Sequence, residues 1–205
     1  MPQFSPSEKE QLRQSLIQAG KQLFTTQGLK KTSLEQLTQA AGIAKSTFYS
    51  FFDSKEALYL ELLELESIGM EERVWAAVEQ ASDTYHAIVT YLESMGNELT
   101  SNPLTLRLIA HPQEMEIVRR RVTPAFIERK LQRNVLPLMQ YVREQQQAGQ
   151  MIDIPREVIV GVLRAAMLIE VHPQDFDAEF YPQMKEVLYH SVARRLTSTL
   201  KWSEE

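Results

Sequence analysis

The segment Thr32–Glu56 constrains the fold most, because it predicts two short helices joined at a tight glycine corner. Leu34, Leu37 and Ala41 fall at helical spacing and give the first helix an apolar stripe. Gly42 follows this helix, at a position where a residue without a Cβ adopts the left-handed backbone at little cost. Two short helices with a glycine in the turn between them are typical of a helix-turn-helix motif.

The second of these helices has an apolar face and a polar face. Phe48 and Phe52 lie four residues apart and are predicted to point into the core. The residues on or beside the outward face are polar or basic: Lys45, Ser46, Thr47, Tyr49 and Ser50. Because the second helix of a helix-turn-helix enters the major groove of DNA, this face is a candidate for reading bases and binding phosphates.

Capping patterns predict where the neighbouring helices begin. Ser7–Glu10 has the spacing of a capping box and predicts the start of the first helix. Thr32 or Ser33 can cap the first helix of the corner, with an acidic or amide residue three positions later. Asp53 is predicted to cap the helix that follows the corner, with Glu56 at the matching third position.

These residues resemble the N-terminal domain of the TetR/AcrR family of bacterial transcriptional regulators. The match covers about the first quarter of the chain closely, whereas the remainder resembles the family only in its length and helical character. The following residues carry the resemblance: Leu23, Phe24, Gly28, Thr32, Ala41, Gly42, Ile43, Thr47, Phe48, Tyr49, Phe52, Ser54, Lys55, Glu56, Ala57 and Leu58.

The resemblance implies roles for particular side chains. Thr32 resembles the family residue that caps the second helix and binds a phosphate, while Tyr49 and Lys55 match residues that contact the DNA backbone. Lys45, Ser46 and Thr47 match positions that meet base edges. The complete predicted DNA-binding set is Thr32, Ser33, Lys45, Ser46, Thr47, Tyr49, Ser50 and Lys55.

Two departures from the family pattern affect the expected mode of DNA recognition. Phe51 stands where the family often has histidine, and Ala44 stands where a capping serine is usual. The predicted recognition helix also lacks arginine, which is the commonest reader of guanine. We therefore expect few direct base contacts and a larger share of phosphate and shape readout.

Composition and charge indicate a soluble protein of the cytoplasm. The chain has 205 residues and no cysteine, which excludes disulfides and Cys-based metal sites. Its start lacks a secretory pattern, and its longest apolar stretch, 158–169, is interrupted by Arg164 and is too short to span a bilayer. The net charge is −5, but residues 1–60 carry seven Lys/Arg against five Asp/Glu. Such a mildly basic domain predicts modest, salt-dependent DNA affinity and favours a dimer that binds two half-sites.

The predicted fold is all-α. A three-helix helix-turn-helix domain at residues 1–53 is joined through a shared helix to a helical regulatory and dimerisation domain at 54–205. The shared helix is expected to run toward Trp75 and Val78, with no flexible linker. The helices predicted after it are Ser82 to Leu99, Leu104 to Ala110, Gln113 to Ala148 with a break near Pro124 and a kink at Pro137, Arg156 to Val171, and Ala178 to Leu200.

Two functional surfaces are predicted in the C-terminal part. An apolar cavity for a small-molecule effector is assigned to Trp75, Tyr91, Met95, Arg107, His111, Phe126, Met139 and Met167, although ordinary core packing explains any one of them equally simply. For Arg107, a salt bridge to a nearby glutamate is the simpler alternative to an acidic ligand. A homodimer interface is assigned to Val158, Val162, Ala166, Ile169, Leu188, Val192 and Leu196, because the helix at 156–171 is apolar on most sides; a central core helix is the alternative.

The sequence thus predicts a ligand-responsive transcriptional regulator, a dimeric repressor that binds a palindromic DNA operator and is released by an unknown small-molecule effector. A helical protein-binding adaptor is the alternative, although it leaves the exposed Lys45 and Tyr49 without a purpose. The four histidines show no metal-binding spacing, and no phosphate loop or nucleophile elbow is present. We therefore expect no enzymatic activity, cofactor or metal site.

Overall fold

A computed structural model describes residues 4–198, apart from the side chains of Pro112 and Met115, and this part of the chain is helical without a β-strand. The all-α prediction is therefore confirmed. The helices are α1 (Pro6–Thr26), α2 (Gly28–Lys31), α3 (Leu34–Ala40), α4 (Lys45–Phe48), α5 (Lys55–Val78), α6 (Thr84–Ser101), α7 (Pro103–Ala110), α8 (Pro112–Arg119), α9 (Pro124–Asn134), α10 (Leu136–Gln147), α11 (Arg156–Ala166), α12 (Leu168–Val171) and α13 (Tyr181–Thr197), with a short 3-10 helix at Pro173–Asp175.

The chain divides into two compact units. Unit 1 contains the residues up to Ser67 together with Asn102–Pro124, and unit 2 contains Ile68–Ser101 together with the residues from Ala125 onward. The helix α5 supplies residues to both units, as the predicted shared helix requires. This division differs from the expected boundary after residue 53, because unit 1 also includes the start of α5 and the helices α7 and α8.

Unit 1 has its own apolar core, which α1, α3, α4, α5, α7 and α8 build together. Phe48 and Phe52 are buried in it, as their spacing predicts. The rings of Phe24 and Tyr59 meet edge to face with centroids 5.1 Å apart. The fully buried members are Leu16, Phe24, Leu29, Leu37, Phe48, Leu58 and Tyr59. Leu104 and Val118 also belong to this core, so α7 and α8 are part of the unit that carries the helix-turn-helix.

Unit 2 has a second apolar core, to which α6, α11 and α13 contribute, and one buried carboxylate on α12. Glu170 is 2% exposed and accepts hydrogen bonds from the hydroxyls of Tyr189 (2.7 Å) and Tyr181 (3.0 Å). The Lys185 ammonium lies 3.2 Å from the same carboxylate. These partners replace the water that a buried charge loses. Burial is the main cause of the raised pKa values of both tyrosines, and it brings that of Tyr181 to about 12.

Several predicted helix boundaries are wrong by one or two residues. Ser5, not Ser7, caps α1: its hydroxyl accepts from the N–H of Glu8 at 3.2 Å, and its own N–H donates to the Glu8 carboxylate. These bonds lower the pKa of Glu8. Ser54, not Asp53, caps α5 through a 3.2 Å bond from the N–H of Ala57. In both places a serine one or two residues from the predicted position makes the bond.

In the C-terminal half, the helices end near the predicted positions but contain additional breaks. The break near Pro124 is confirmed, because α8 ends at Arg119 and α9 begins at Pro124. The helix is also interrupted at Val135, just before Pro137, and the single helix predicted over 156–171 is divided at Met167. The last helix ends at Thr197, and the predicted end at Leu200 lies outside the described residues.

The part of the chain that the structure describes has no helix that is both long enough and apolar enough to cross a membrane.

Candidate nucleic-acid interface

The predicted recognition helix α4 presents a polar surface beside a fully buried anchor. Phe48 is 0% exposed, whereas Tyr49 is 54% exposed and its ring meets that of Phe48 edge to face at 5.7 Å. Lys45, Ser46 and Ser50 are exposed, and Thr47 is half-buried. One short helix therefore holds its position through an aromatic anchor and leaves a basic, hydroxyl-rich surface free.

The glycine corner before α4 has the predicted geometry. Gly42 adopts the left-handed backbone with φ of 68°, and its N–H donates to the carbonyl of Gln39 at 3.1 Å. The N–H of Ile43 donates to the carbonyl of Thr38 at 2.9 Å, which closes the end of α3. Ala44 precedes α4 without a side-chain cap, as expected from the missing serine. Phe51, which stands where the family often has histidine, is half-buried and packs against the core of unit 1.

Ser33 rather than Thr32 caps α3, the first helix of the motif. The Ser33 hydroxyl accepts from the N–H of Gln36 at 3.1 Å, and the Gln36 side chain accepts from the N–H of Ser33 at 2.8 Å. Thr32 is 1% exposed, and its hydroxyl donates to the carbonyl of Gly28 at 2.7 Å. The assignment of Thr32 as a cap and phosphate contact is therefore corrected, because the side chain is buried and its proton is already used.

Lys55 also has an internal role in the structure. Its ammonium donates to the carbonyls of Thr32 at 2.6 Å, Leu29 at 2.8 Å and Lys30 at 3.5 Å. An ammonium has three N–H donors, so these carbonyls at the end of α2 use all of them. The predicted phosphate contact by Lys55 is therefore corrected: in this conformation the side chain ties the start of α5 to α2.

Arg107 forms the buried salt bridge to a glutamate that was given as the simpler alternative to an acidic ligand. Arg107 donates two parallel bonds to Glu114, at 3.1 and 3.0 Å, and a third to the carbonyl of Gln27 at 3.1 Å. Glu114 is 4% exposed and also accepts from the N–H of Leu29 at 3.4 Å. A Cβ at Gly28, whose φ is 85°, would overlap both charged groups. The backbone of α2 is therefore held by Lys55, which binds carbonyls at its end, and by Arg107 and Glu114, which bind backbone atoms at its start.

The hydroxyl of Tyr59 lies near this pair and is the one buried side-chain polar atom without a hydrogen-bond partner among the described residues. Burial raises the pKa of Tyr59 to about 12, and the negative charge of Glu114 adds to this effect. Sequence reasoning offered a glutamate partner for Arg107 but did not identify Glu114 or the backbone partners, because the members of this cluster come from positions as far apart as 27 and 114. The one available signal was Arg107 itself, a charged residue in an apolar segment.

The residues assigned to an effector cavity do not form one site. Arg107 and His111 belong to unit 1, and the other six belong to unit 2. Trp75 and Tyr91 line an enclosed cavity of about 10 Å³, which is room for a single water molecule. Met95, Met139 and Met167 pack against the core of unit 2, and Phe126 is buried. The assignment of Arg107 to the effector site is corrected, because the guanidinium is paired with Glu114.

One carboxyl near the aromatic pair has an altered ionisation. Burial raises the pKa of Glu71 to about 7, although Arg133 and Lys130 oppose the shift. The pKa of Tyr91 is raised to about 12 by burial and by the charge of Glu71. Among the described residues, no group of three His, Asp or Glu side chains is arranged to hold a metal ion.

The residues assigned to the dimer interface divide between two faces. Ala166, Ile169 and Leu196 are buried in the core of unit 2, and Leu188 and Val192 pack against that core half-buried. Val158 and Val162 are exposed. The assignment of Ala166, Ile169 and Leu196 is therefore corrected to core packing. Four further apolar residues near these helices are exposed, namely Leu168, Phe176, Met184 and Val187.

These four residues line an open groove of about 700 Å³ between the end of α11, α12 and α13. Leu168 is 59% exposed and Val187 is 60% exposed. The groove is predominantly apolar, with His172, Asp175 and Ser191 as its polar members. A contiguous apolar surface of this kind is a candidate for burial against another chain.

Comparison with protein families and curated proteins identifies the N-terminal part. Residues 16–62 match the model of the tetR family of bacterial regulatory proteins. The transcriptional regulator AcrR of Shigella flexneri is 31% identical over 72 residues, which are 35% of this chain and 34% of AcrR. The repressor DhaR of a Mycobacterium species is 28% identical over 93 residues, which are 42% of this chain and 47% of DhaR. The chain thus spans about half the length, or less, of these curated relatives.

Solved structures resemble the chain over nearly its whole length. A protein of unknown function from Rhodococcus sp. RHA1 aligns with a TM-score of 0.71 at 16% identity and covers 91% of this chain and 96% of its own. RolR in complex with resorcinol aligns with a TM-score of 0.62 at 15% identity, covering 96% of this chain and 100% of its own. At these identities the likeness shows a shared fold. Residues 16–62 thus match the N-terminal domain of the tetR family of bacterial regulatory proteins, and the chain as a whole shares the all-helical fold of these solved structures.

Proposed function

We propose that the protein is a transcriptional repressor that binds a palindromic DNA operator as a homodimer and is released by a small-molecule effector. The observation that carries the proposal is the surface of α4, where Lys45, Ser46 and Tyr49 are exposed beside the buried Phe48. None of the three exposed side chains is needed to fill the core of unit 1. Basic and hydroxyl groups on the second helix of a helix-turn-helix suit phosphates and base edges in the major groove.

The DNA contacts assigned by this proposal are fewer than the sequence predicted. Lys45, Ser46, Thr47, Tyr49 and Ser50 remain, together with the helix cap Ser33, which is exposed. Thr32 and Lys55 are left out because their polar groups are bonded within unit 1. Two copies would place their α4 helices in successive major grooves, about 34–36 Å apart when the half-sites are one helical turn apart.

The homodimer is proposed to form through the apolar faces of α11, α12 and α13. Val158 and Val162 are exposed on α11, and they lie in sequence just before the apolar groove that Leu168 and Val187 line. Gly161 lies between them with open space around its Cα, so another chain can approach closely. A second copy would remove these side chains from water at about 25 cal/mol for each Å² of apolar area buried.

The effector is proposed to bind within unit 2. The cavity of about 10 Å³ beside Trp75 and Tyr91 is too small for an organic molecule, so binding requires that the core open. A molecule that stabilises such an opened conformation shifts the protein toward it, provided that the closed conformation binds it less well. The fold relatives supply the precedent: RolR has been solved with resorcinol, and AibR with isovaleryl coenzyme A and operator DNA.

A DNA-binding experiment tests the central claim. The purified full-length protein is titrated, by fluorescence anisotropy, against palindromic fragments selected from random DNA at several salt concentrations. We expect Lys45→Ala and Tyr49→Ala each to weaken selected-site binding about tenfold to a hundredfold, which corresponds to about 1–3 kcal/mol. Lys130→Ala, which removes an exposed lysine of unit 2, is the matched control. If the wild-type protein shows no salt-sensitive preference for any fragment, the protein-binding adaptor is the better function.

The oligomeric part of the proposal has its own test. Val187→Asp places a charge in the apolar groove, and we expect it to convert dimers to monomers in sedimentation experiments. Ile127→Asp is the matched control, because Ile127 is 59% exposed on α9, away from the groove residues in sequence. Equal dissociation constants for both variants would place the interface elsewhere.

A further inference from the structure

Three consecutive arginines lie in the same compact unit as the helix-turn-helix. Arg119 ends α8, and Arg120 and Arg121 follow it; all three are exposed. From sequence alone they are an ordinary solvated helical surface in the second half of the chain. The fold changes their context, because Asn102–Pro124 belongs to unit 1 and not to the remainder of the C-terminal part.

The position of α8 in unit 1 is fixed by bonds to the segment that leads into the helix-turn-helix. The Glu114 carboxylate accepts from the N–H of Leu29, and its partner Arg107 donates to the carbonyl of Gln27. Leu29 is followed by the exposed Lys30 and Lys31 and then by Ser33, the cap of α3. From Glu114 to Arg119 the helix advances only about 7–8 Å. Arg119 therefore lies within one and a half helical turns of a bond to the segment that leads into the helix-turn-helix, and Arg120 and Arg121 follow it directly.

The three guanidinium groups have no partner within the part of the chain that the structure describes, where no ion pair or side-chain hydrogen bond involves them. The favourable interaction of cations with a helix C-terminus accounts for Arg119 and in part for Arg120, but it falls off beyond the last turn. Arg121 lies two residues after the helix. Lys30 and Lys31 on α2 are also exposed and carry no ion pair in the described structure.

We propose that Arg120 and Arg121, with Arg119, form a second DNA-backbone contact that flanks the helix-turn-helix. This inference rests on the proposed DNA-binding function and deepens it. The recognition helix contains Lys45 but no arginine, and Lys55 is used internally, so cations from elsewhere in unit 1 would add to the phosphate contacts of α4. Arginine is well suited to this role because its planar fork binds phosphate oxygens bidentately. Such contacts strengthen binding and fix orientation without reading sequence.

The salt dependence of operator binding tests the proposal. The variant Arg120→Gln/Arg121→Gln leaves α8 intact, since both residues follow its last helical residue. Each lost phosphate contact lowers the slope of log K against log salt by about 0.9, so we expect a decrease of about 2–4 for a dimer. The affinity loss should be at least tenfold at low salt and shrink as salt rises. The ranking of operator sequences should be unchanged.

Two comparisons make the result decisive. Lys130→Gln/Arg143→Gln removes the same charge from exposed positions of unit 2 and should leave the slope close to that of the wild type. Arg120→Lys/Arg121→Lys keeps the charge and should restore most of the slope. If the glutamine variant matches the unit 2 control while Lys45→Ala still weakens binding, the second contact is refuted and the proposed function stands. If the wild-type protein itself binds no operator, both proposals fail.

Discussion

Glu114 in unit 1 and Glu170 in unit 2 are both buried carboxylates opposite a glycine, but their partners differ. Glu114 is neutralised by the Arg107 guanidinium and accepts from the backbone of the α1–α2 corner. The Glu170 carboxylate is surrounded by the hydroxyls of two tyrosines and by the ammonium of one lysine, and all three residues lie on α13.

The two carboxylates differ in whether their hydrogen-bond partners are side chains or backbone atoms. The partners of Glu170 are side chains of a packed helix, so loss of the carboxylate mainly affects the core of unit 2. The partners of Glu114 include backbone atoms next to the helix-turn-helix, so its loss affects the position of a functional motif. The same buried charge thus stabilises a core in one unit and positions a surface in the other.

The largest expected effect comes from the glycine opposite Glu114. Gly28→Ala combines a left-handed backbone, which costs about 1–2 kcal/mol with a side chain, with the overlap of its Cβ with Arg107 and Glu114. Because disruption of a buried pair costs about 3–5 kcal/mol, we expect a total loss of about 4–7 kcal/mol in denaturant unfolding.

Alanine substitutions at two other glycines measure separately the backbone strain and the steric overlap that Gly28→Ala combines. Gly42 has φ of 68° and open space around it, so Gly42→Ala should show the backbone strain alone. The Cβ of Gly96→Ala would overlap the Glu170 carboxylate without a positive φ, so this variant should show the steric effect alone. If Gly28→Ala costs no more than Gly42→Ala, the Arg107–Glu114 pair moves aside freely and does not hold the corner.

A smaller effect is expected from removal of the carboxylates themselves. Glu114→Ala leaves the Arg107 charge largely buried, with its side chain 17% exposed, and should cost about 3–4 kcal/mol. Glu170→Ala should cost less, about 2–3 kcal/mol, because Lys185 is 26% exposed and can reach water, while the Tyr189 hydroxyl loses its acceptor. Chemical unfolding measures both. At temperatures where both variants remain folded, only Glu114→Ala should weaken operator binding; equal binding would contradict the positioning role.

Sequence reasoning found the helices and the corner because these depend on local patterns. Gly42, Phe48 and the break before Pro124 follow from spacing and backbone chemistry within a few residues. The capping positions were missed by one or two residues because Ser5 and Ser54 have serine or aspartate neighbours of nearly equal capping strength.

The parts that could not be predicted depend on contacts between distant positions. The bond from Arg107 to Gln27 spans 80 residues, and no periodic pattern shows that Asn102–Pro124 packs with the first 67 residues. The face of α11 was ambiguous for a different reason. An apolar residue occupies almost every position, so periodicity did not separate the buried Ala166 from the exposed Val162.

The smallest expected effect concerns two tyrosines that lie beside the two carboxylates. The Tyr59 hydroxyl is buried without a partner, whereas the Tyr189 hydroxyl donates to Glu170 at 2.7 Å. Tyr59→Phe removes a polar group that is desolvated without compensation, so it should be neutral or stabilise the protein by up to about 1 kcal/mol. Tyr189→Phe removes a satisfied bond to a charged group and should destabilise it by about 1.5–3 kcal/mol. Opposite signs in parallel unfolding experiments would show that unit 1 retains an unused donor next to Glu114, and a destabilising Tyr59→Phe would mean that the hydroxyl has a bound partner such as water.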